Sequence, residues 1–133
     1  MADRDVRVAI AGEPDLTRAL VEARRLATDA GFAAAAASKI ATVVSELGRN
    51  ILKYAGRGDV LFRQVEQGAR EGLTIVVRDR GPGIPNLDQA LADHYSTSGT
   101  LGLGLPGVRR MVDEFDIESE VGRGTKVTVT MWL

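Results

Sequence analysis

Two polar side chains lie four residues apart within a helical pattern of apolar residues. Glu46 and Asn50 belong to the run Ser45–Ile51, and residues four apart share one face of a helix. A carboxylate and an amide oxygen aimed at one point can serve as a general base and as a ligand for a hard cation such as Mg²⁺. Taken alone, the pair is also compatible with a solvated helix edge, which more often explains so short a motif.

An acidic residue followed by alternating glycines comes directly after an apolar segment at 73–77. The segment is apolar enough to be a central strand, and Asp79, Gly81, Gly83 and Ile84 come after it. Glycine lets the backbone turn sharply and approach a flat ligand closely. A carboxylate there can accept a hydrogen bond from an exocyclic amine such as that of adenine. An ordinary strand-ending turn explains the same residues equally well.

A glycine-rich stretch at 96–107 leads into a helix predicted from about Leu105 to Phe115. Free N–H groups at a helix N-terminus favour anions, which makes the stretch a candidate phosphate-binding segment. Arg109 and Arg110 are expected near the first turns, where cations oppose the helix dipole and a bound polyphosphate would offset them. A flexible linker is the alternative, although the leucines of the stretch do not suit one.

The stretch at 96–107 matches neither of two familiar phosphate-binding motifs. It follows a long loop rather than a strand, and no Gly-Lys-Ser/Thr occurs, so it is neither a dinucleotide fingerprint nor a Walker loop. A fourth motif, Gly-Arg-Gly-Thr at 122–125, is by itself only a hairpin turn.

The remaining pattern predicts the elements that position these motifs. Glu13-Pro14-Asp15 opens a helix that Gly31 ends, and a second helix runs from about Ala33 to Tyr54. The other predicted elements are strands at 6–10, 60–65 and 73–77, a short helix at 87–92, and a hairpin of 117–121 with 126–132. This order predicts one sheet with the helices on one face. The stretch at 79–107 is long enough to predict a lid or binding loop.

Composition narrows the function classes. The chain has 133 residues and a net charge of −1, which predicts one domain and argues against a basic nucleic-acid binder. It has no cysteine, which excludes disulfides and thiol nucleophiles, and His94 is its single histidine. Neither a signal peptide nor a membrane-spanning run is recognised, and a soluble, cytoplasmic protein is expected.

The four motifs, in the order in which they follow one another along the chain, resemble those of the GHKL ATPase family. This family includes gyrase B, histidine kinases and MutL. The match covers roughly residues 40 to 128. Within the family, the chain further resembles the small serine/threonine switch kinases of the bacterial stressosome. That likeness rests on Ser-Glu-Leu-Gly-Arg-Asn-Ile at 45–51, Tyr-Ala-Gly at 54–56, Ser-Thr-Ser-Gly at 96–99, Gly-Leu-Pro-Gly-Val at 104–108 and Met-Val-Asp-Glu-Phe at 111–115.

The resemblance implies a fold and cofactors. The fold is a two-layer α/β sandwich of the Bergerat ATP-binding type, with a mixed, mostly antiparallel sheet and helices on one face. One ATP-binding kinase domain is expected over residues 1–133, with an ATP lid at about 80–104. ATP and Mg²⁺ are the implied cofactors.

The resemblance also implies a role for each motif position. Glu46 would be the catalytic base, Asn50 the Mg²⁺ ligand and Asp79 the acceptor of the adenine amine. The other implied ATP-binding residues are Gly81, Gly83, Ile84, Thr97, Ser98, Gly99, Gly102, Leu103, Gly104, Leu105 and Thr125.

The implied reaction is transfer of the ATP γ-phosphoryl group to a serine or threonine of STAS-domain stressosome proteins. The kinase would then activate a PP2C-type phosphatase in the general stress response, and neither nucleic acid nor membrane is an expected partner. One alternative is an anti-sigma factor kinase, which sequesters a sigma factor and phosphorylates an anti-anti-sigma protein. A non-enzymatic ATP-binding regulator is a third possibility, against which the intact Glu46 argues.

Overall fold

The computed structural model describes residues 5–92 and 104–133. The predicted order of strands and helices is confirmed. The elements are β1 (Val6–Ile10), α1 (Glu13–Ala30), α2 (Ala34–Asn50), a π-helical segment (Ile51–Ala55), β2 (Gly58–Gln67), β3 (Arg70–Asp79), α3 (Leu87–Ala90), α4 (Gly104–Met111), β4 (Glu114–Glu120) and β5 (Gly124–Trp132).

The ends of α1 follow from its terminal residues. Proline fits the first turn because that turn needs no N–H from it, and the acidic Glu13 and Asp15 face the positive end of the helix dipole. Gly31 ends the helix with φ at 103°, in the left-handed region that glycine tolerates. Its N–H donates to the carbonyl of Thr28 at 3.0 Å.

The apolar stripe of α2 holds the first motif at the edge of the core. The stripe comprises the buried residues Ala37, Ile40, Ala41, Val43, Val44, Leu47 and Gly48. A Cβ at Gly48 would clash with Leu16 of α1, so glycine permits the close approach of the two helices. Glu46 and Asn50 are half-buried beside this stripe, close to where the helix changes to π-helical geometry at Ile51.

The sheet has the strand order β1-β2-β3-β5-β4. The sequence predicted a mixed, mostly antiparallel sheet, and all four strand pairings in the described ranges are antiparallel. The register places Asp79, the last residue of β3, opposite both Gly58 of β2 and Thr125 of β5. The second and fourth motifs therefore meet in the middle of the sheet although they are distant in sequence.

Burial alternates along β3, as expected for a strand covered on one face. Leu73, Ile75 and Val77 belong to the same buried core cluster as the apolar residues of α1 and α2. Between them, Thr74 and Val76 are half-buried on the opposite face of the sheet. This arrangement confirms the predicted two-layer α/β sandwich with helices on one face.

The helix predicted to extend to Phe115 ends earlier, at Met111. Phe115 instead lies in β4, where it pairs with Val129 of β5. Asp113 helps to end the helix, because its N–H donates to Thr130 and its carboxylate accepts from the N–H of Trp132 at 2.7 Å. The prediction was wrong here because Phe115 fits both the helical spacing and the strand alternation.

The shorter α4 also changes the position of two arginines. Arg109 and Arg110 occupy the last turn of the helix, not the first turns as predicted. Cations in the last turn interact favourably with the negative end of the helix dipole. The dipole conflict that a polyphosphate was expected to offset is therefore absent.

In the two described ranges, no helix combines the length and the apolar character needed to cross a membrane.

Candidate functional site

One cavity brings the motifs of the sequence together. It has a volume of about 250 Å³ and lies between the end of α2, the turn after β3, the start of α4 and strands β4 and β5. The motif residues in its wall are Asn50, Asp79, Gly83, Ile84, Gly104, Leu105 and Thr125. Most of the remaining wall is apolar: Leu47, Ile51, Tyr54, Val77, Pro82, Pro85, Ala90, Pro106, Ile117 and Val127. An apolar pocket with a few placed polar groups is the usual form of a small-molecule site.

A larger depression, of about 780 Å³, lies over the other face of the sheet, where Arg7, Arg78 and Lys126 line it. Asp79 and Thr125 also contribute to its wall, but no residue of α2 or α4 does. We place the candidate site in the smaller cavity because residues of all four motifs line that cavity.

The turn after β3 is held in shape by its own first residue. One carboxylate oxygen of Asp79, Oδ1, accepts a hydrogen bond from the N–H of Gly81 at 2.8 Å. A Cβ at Gly81 would lie 2.6 Å from the Cβ of Ala55, and a Cβ at Gly83 would clash with the carbonyl of Glu120. Gly83 also has φ at +79°. The alternating glycines are therefore required by contacts with the surrounding protein.

The β4–β5 hairpin fixes the same turn from the other side. The N–H of Gly122 donates to Pro82 at 2.8 Å, and the N–H of Ile84 donates to the hydroxyl of Ser119 at 2.7 Å. A Cβ at Gly124 would clash with the carbonyl of Asp79. Contacts with the hairpin and with the N–H of Gly81 therefore fix the Asp79 carboxylate at this end of the cavity.

At the other end, the α2 pair faces the start of α4. Oε2 of Glu46 accepts a hydrogen bond from the N–H of Gly104 at 3.5 Å, which is the long limit for such a bond. Asn50, one turn further along α2, lines the cavity itself. Gly104 has φ at +68°, and the nearest atom of the described residues to a Cβ there would be in Pro106, at 3.6 Å. A carboxylate, an amide oxygen and a helix N-terminus are thus neighbours.

Comparison with known proteins identifies this arrangement. Residues 35–133 match the family model described as "Histidine kinase-, DNA gyrase B-, and HSP90-like ATPase". The chain belongs to this ATPase family. The resemblance inferred from the sequence motifs is confirmed, and membership implies that the chain binds ATP.

Two sequence relatives indicate the branch of the family. The chain is 43% identical over 126 residues to the serine/threonine-protein kinase RsbT of Bacillus subtilis (strain 168), a match that covers 95% of each chain. It is 34% identical over 95 residues to the anti-sigma F factor of Clostridium beijerinckii, covering 68% of this chain and 66% of that protein. These similarities support kinase activity and a partner-switching role.

Solved structures of the ATPase family share the fold. The mycobacterial sensor histidine kinase MprB aligns with a TM-score of 0.56 at 17% identity and covers 96% of both chains. The histidine kinase domain of the blue-light activated histidine kinase of Erythrobacter litoralis EL346 aligns with a TM-score of 0.54 at 24% identity. This second match covers 89% of the present chain and 59% of the other. The predicted fold class is confirmed.

The predicted site residues of this ATPase domain fall into two groups. Those of the described ranges lie in or beside the cavity: Glu46, Asn50, Asp79, Gly81, Gly83, Ile84, Gly104, Leu105 and Thr125. The others lie outside the described residues: Thr97, Ser98, Gly99, Gly102 and Leu103. The predicted lid at 80–104 is described only over 80–92 and at Gly104.

Sequence reasoning missed several residues of the site. Leu47, Ile51 and Tyr54 were assigned only to the apolar face of the second helix, because apolar periodicity does not distinguish a pocket wall from a packed core. Ser119 was missed altogether. Its link to Ile84 and Thr125 depends on the hairpin register, which pairs Ser119 with Thr125.

The donor set at the Glu46 end suits Mg²⁺. No group of three or more His, Cys, Asp or Glu side chains that could hold a metal occurs in the part of the chain that the structure describes. Asn50 nevertheless offers an amide oxygen at the cavity wall. Mg²⁺ keeps several waters and is usually held by one or two protein oxygens together with substrate phosphates, so a single Asn ligand fits this ion.

Proposed function

We propose that the chain is an ATP-dependent serine/threonine kinase that phosphorylates STAS-domain proteins. The observation that carries the proposal is the convergence of Asp79, Thr125, Asn50 and the start of α4 on one cavity, with Glu46 beside it. The identity to RsbT over 95% of both chains supports the kinase branch.

The Asp79 end suits the adenine ring. Oδ1 of the carboxylate is engaged by the N–H of Gly81 at 2.8 Å, and Oδ2 remains to accept from the amine of the base. The apolar side chains of Ile51 and Val77 lie in the same wall and suit the faces of a flat ring. Gly83 and Ile84 bring backbone close to the same space.

The Glu46 end suits the phosphates and their cation. The N–H of Gly104 at the start of α4 is aimed at an acidic group in this structure, because it donates to Glu46. A phosphate oxygen would be a stronger partner for that N–H. Asn50 would hold Mg²⁺, which supplies charge stabilisation to the phosphates during transfer. The predicted residues Thr97, Ser98, Gly99, Gly102 and Leu103 complete the phosphate-binding set in this proposal.

Glu46 is the proposed general base. The oxygen of a substrate serine or threonine forms a bond to the γ-phosphorus while the bond from that phosphorus to the bridging oxygen of ADP breaks. The hydroxyl proton passes to the Glu46 carboxylate, and ADP leaves with the electron pair of the broken bond. Phosphoryl transfer depends mainly on positioning and charge stabilisation, both of which the cavity can provide.

The proposed biological role is partner switching in the cytoplasm. The chain, acting as one ATP-binding domain over 1–133, would phosphorylate a STAS-domain protein of a stressosome and then bind and activate a PP2C-type phosphatase. An anti-sigma factor kinase is the second candidate, favoured by the 34% identity to the anti-sigma F factor of Clostridium beijerinckii.

One paired assay tests the proposal. The purified chain is incubated with γ-labelled ATP, Mg²⁺ and each STAS-domain protein encoded in the same genome, and the same chain is used to capture sigma factors from that genome. Transfer to a STAS protein without sigma capture is expected for the switch kinase. Sigma capture together with transfer would support the anti-sigma candidate, and ATP binding without transfer to any STAS protein would contradict both kinase assignments.

A further inference from the structure

An exposed arginine lies beside the proposed base on α2. Nε of Arg49 donates to the hydroxyl of Ser45 at 3.3 Å. Among the described residues, no carboxylate lies within ion-pair distance of the Arg49 guanidinium, and its two Nη atoms have no acceptor there. One edge of the guanidinium is therefore held against the helix, and the N–H groups of both Nη atoms remain to bind a ligand.

The helix places Glu46 between this arginine and the cavity. Because an α-helix turns by about 100° per residue, Asn50 lies about 40° to one side of Glu46 and Arg49 about 60° to the other. The described wall of the cavity accordingly includes Asn50 but not Arg49. The proposed Mg²⁺ ligand, the proposed base and the arginine therefore follow one another around the helix, from the cavity toward solvent.

The position of the base sets the side from which a protein substrate approaches. In the proposed function ATP fills the cavity, so the substrate hydroxyl has to reach Glu46 from the solvent side, where Arg49 lies. The other side chains on this side of α2 are short: Ser38 is exposed, and Thr42 and Ser45 are half-buried. Such side chains do not obstruct an extended segment laid beside Arg49.

The charges of this helix favour an acidic segment. Between residues 34 and 55 the cations are Lys39, Arg49 and Lys53, and Glu46 is the only acidic residue, whereas the whole chain has a net charge of −1. A substrate carboxylate that approached Glu46 and a triphosphate would be repelled by both, and a cation beside the base offsets this repulsion. The planar guanidinium also matches a carboxylate with two parallel hydrogen bonds.

We propose that Arg49 docks the protein substrate by binding the carboxylate of an Asp or Glu close in sequence to the phosphorylated serine or threonine. The inference rests on the proposed function, because it requires a protein hydroxyl at Glu46. Side chains three apart on a helix have Cβ atoms about 5–6 Å apart, and consecutive Cα atoms of a chain are about 3.8 Å apart. The bound carboxylate therefore belongs to a residue about one to three positions from the acceptor.

The test measures steady-state phosphoryl transfer, with Mg²⁺, to the STAS-domain protein that the paired assay identifies. Arg49→Ala removes the cation, Arg49→Lys keeps the charge without the planar fork, and Arg49→Glu reverses the charge. Arg57→Ala is the control, because Arg57 is also exposed but borders the depression over the other face of the sheet. For each variant we determine kcat, the KM for the substrate protein, the KM for ATP and the melting temperature. Mass spectrometry locates the phosphorylated residue.

Arg49→Ala should raise the KM for the substrate protein about tenfold, since a charge-assisted hydrogen bond is lost, while kcat and the KM for ATP stay near their wild-type values. Arg49→Lys should recover part of the loss. Arg49→Glu should raise this KM further through repulsion of the substrate carboxylate, and Arg57→Ala should change nothing. A substrate whose acidic residue beside the phosphorylated site is replaced by arginine should be poor for the wild type and better for Arg49→Glu.

The outcomes separate this inference from the proposed function. If the wild type phosphorylates no STAS-domain protein, the proposed function fails and the inference fails with it. If the wild type is active, the inference is overturned by a lower kcat with an unchanged KM for the substrate in Arg49→Ala, by a lower melting temperature alone, or by a phosphorylated site without an acidic neighbour. If Arg49→Ala does not fold, the altered substrate decides with the wild-type kinase, and an unchanged KM there also overturns the inference.

Discussion

At its Asp79 end the cavity is closed by hydrogen bonds between the turn after β3 and the β4–β5 hairpin. At its Glu46 end, a hydrogen bond of 3.5 Å joins Glu46 of α2 to Gly104 of α4 within the described ranges. The glycines show the same contrast. A Cβ at Gly83 would clash with the carbonyl of Glu120, but among the described residues the nearest atom to a Cβ at Gly104 would be 3.6 Å away.

The contrast teaches that the two ends depend on different partners. The Asp79 end is held by contacts between the turn after β3 and the β4–β5 hairpin, which in the proposed function would position the Asp79 carboxylate for the base. At the Glu46 end, Glu46 and Asn50 face the start of α4, and in the proposed function phosphates and a cation would complete the geometry. Substitution of a turn glycine at the first end should therefore affect folding as well as binding, whereas changes at the second end should separate binding from chemistry.

The largest effect is expected from Glu46→Ala. Phosphoryl transfer should fall about 10²- to 10⁴-fold, because a general base acts in the transition state and contributes little to ground-state affinity. ATP titration and transfer to a STAS substrate are measured on the same preparation. Transfer at the wild-type rate would show that another group takes the proton, or that substrate deprotonation is unimportant.

Asn50→Ala should affect binding as well as transfer. Loss of the proposed metal ligand should weaken ATP binding in Mg²⁺ by about tenfold or more and leave the weaker binding in EDTA nearly unchanged. Titrations with and without Mg²⁺ provide the comparison. Equal losses under both conditions, or a matching fall in melting temperature for Asn50→Ala and Glu46→Ala, would indicate that the two residues only stabilise the edge of the core.

Three glycine substitutions compare the rigidity of the two ends. Gly83→Ala should destabilise the fold by about 2 kcal/mol, because strain at positive φ is joined by a clash with backbone. Gly104→Ala and Gly68→Ala also have positive φ, but no described atom lies close to the added Cβ, and each should cost about 1 kcal/mol. Chemical denaturation measures all three. Equal losses would mean that the Asp79 end is no more constrained than the Glu46 end.

The smallest effect on stability is expected from the ion pair of Asp5 with Arg63, which lies outside both ends of the cavity. A hydrogen bond from Arg63 lowers the pKa of Asp5 from its ordinary value. The pair therefore stabilises the fold above the unfolded-state pKa of about 3.9, and this stabilisation is lost as the pH falls through the folded-state pKa. Unfolding of the wild type and Asp5→Asn between pH 2 and 7 should show a small difference at neutral pH that disappears in acid. A difference that persists at the lowest pH would contradict this origin.

The sequence predicted most of the fold because its signals are local. Pro14 and Gly31 mark the ends of α1, and the apolar segment at 73–77 marks β3. The boundary between α4 and β4 was missed because Phe115 fits two patterns. It continues the helical spacing of Leu105 and Val108, and it also alternates with Ile117 as in a strand. Only the pairing of β4 with β5 decides between them.

The site was predictable to a similar degree. Glu46, Asn50 and Asp79 have residue types and spacings that point to chemistry without any coordinates. Ser119 carries no such signal. It joins the turn to the hairpin because the strand register places it beside Thr125 and because the turn brings the N–H of Ile84 within 2.7 Å of its hydroxyl. Non-local hydrogen bonds of this kind are not encoded by any spacing along the chain.

The most direct test of the account is a nucleotide titration of Asp79→Asn. An amide at this position has one oxygen for two donors, the N–H of Gly81 and the amine of the base, so one of the two is left facing an NH₂ group. ATP affinity should fall on the order of 100-fold, while the circular dichroism spectrum stays that of the wild type. An Asp79→Asn variant that binds ATP with near wild-type affinity would contradict the placement of adenine at this end of the cavity.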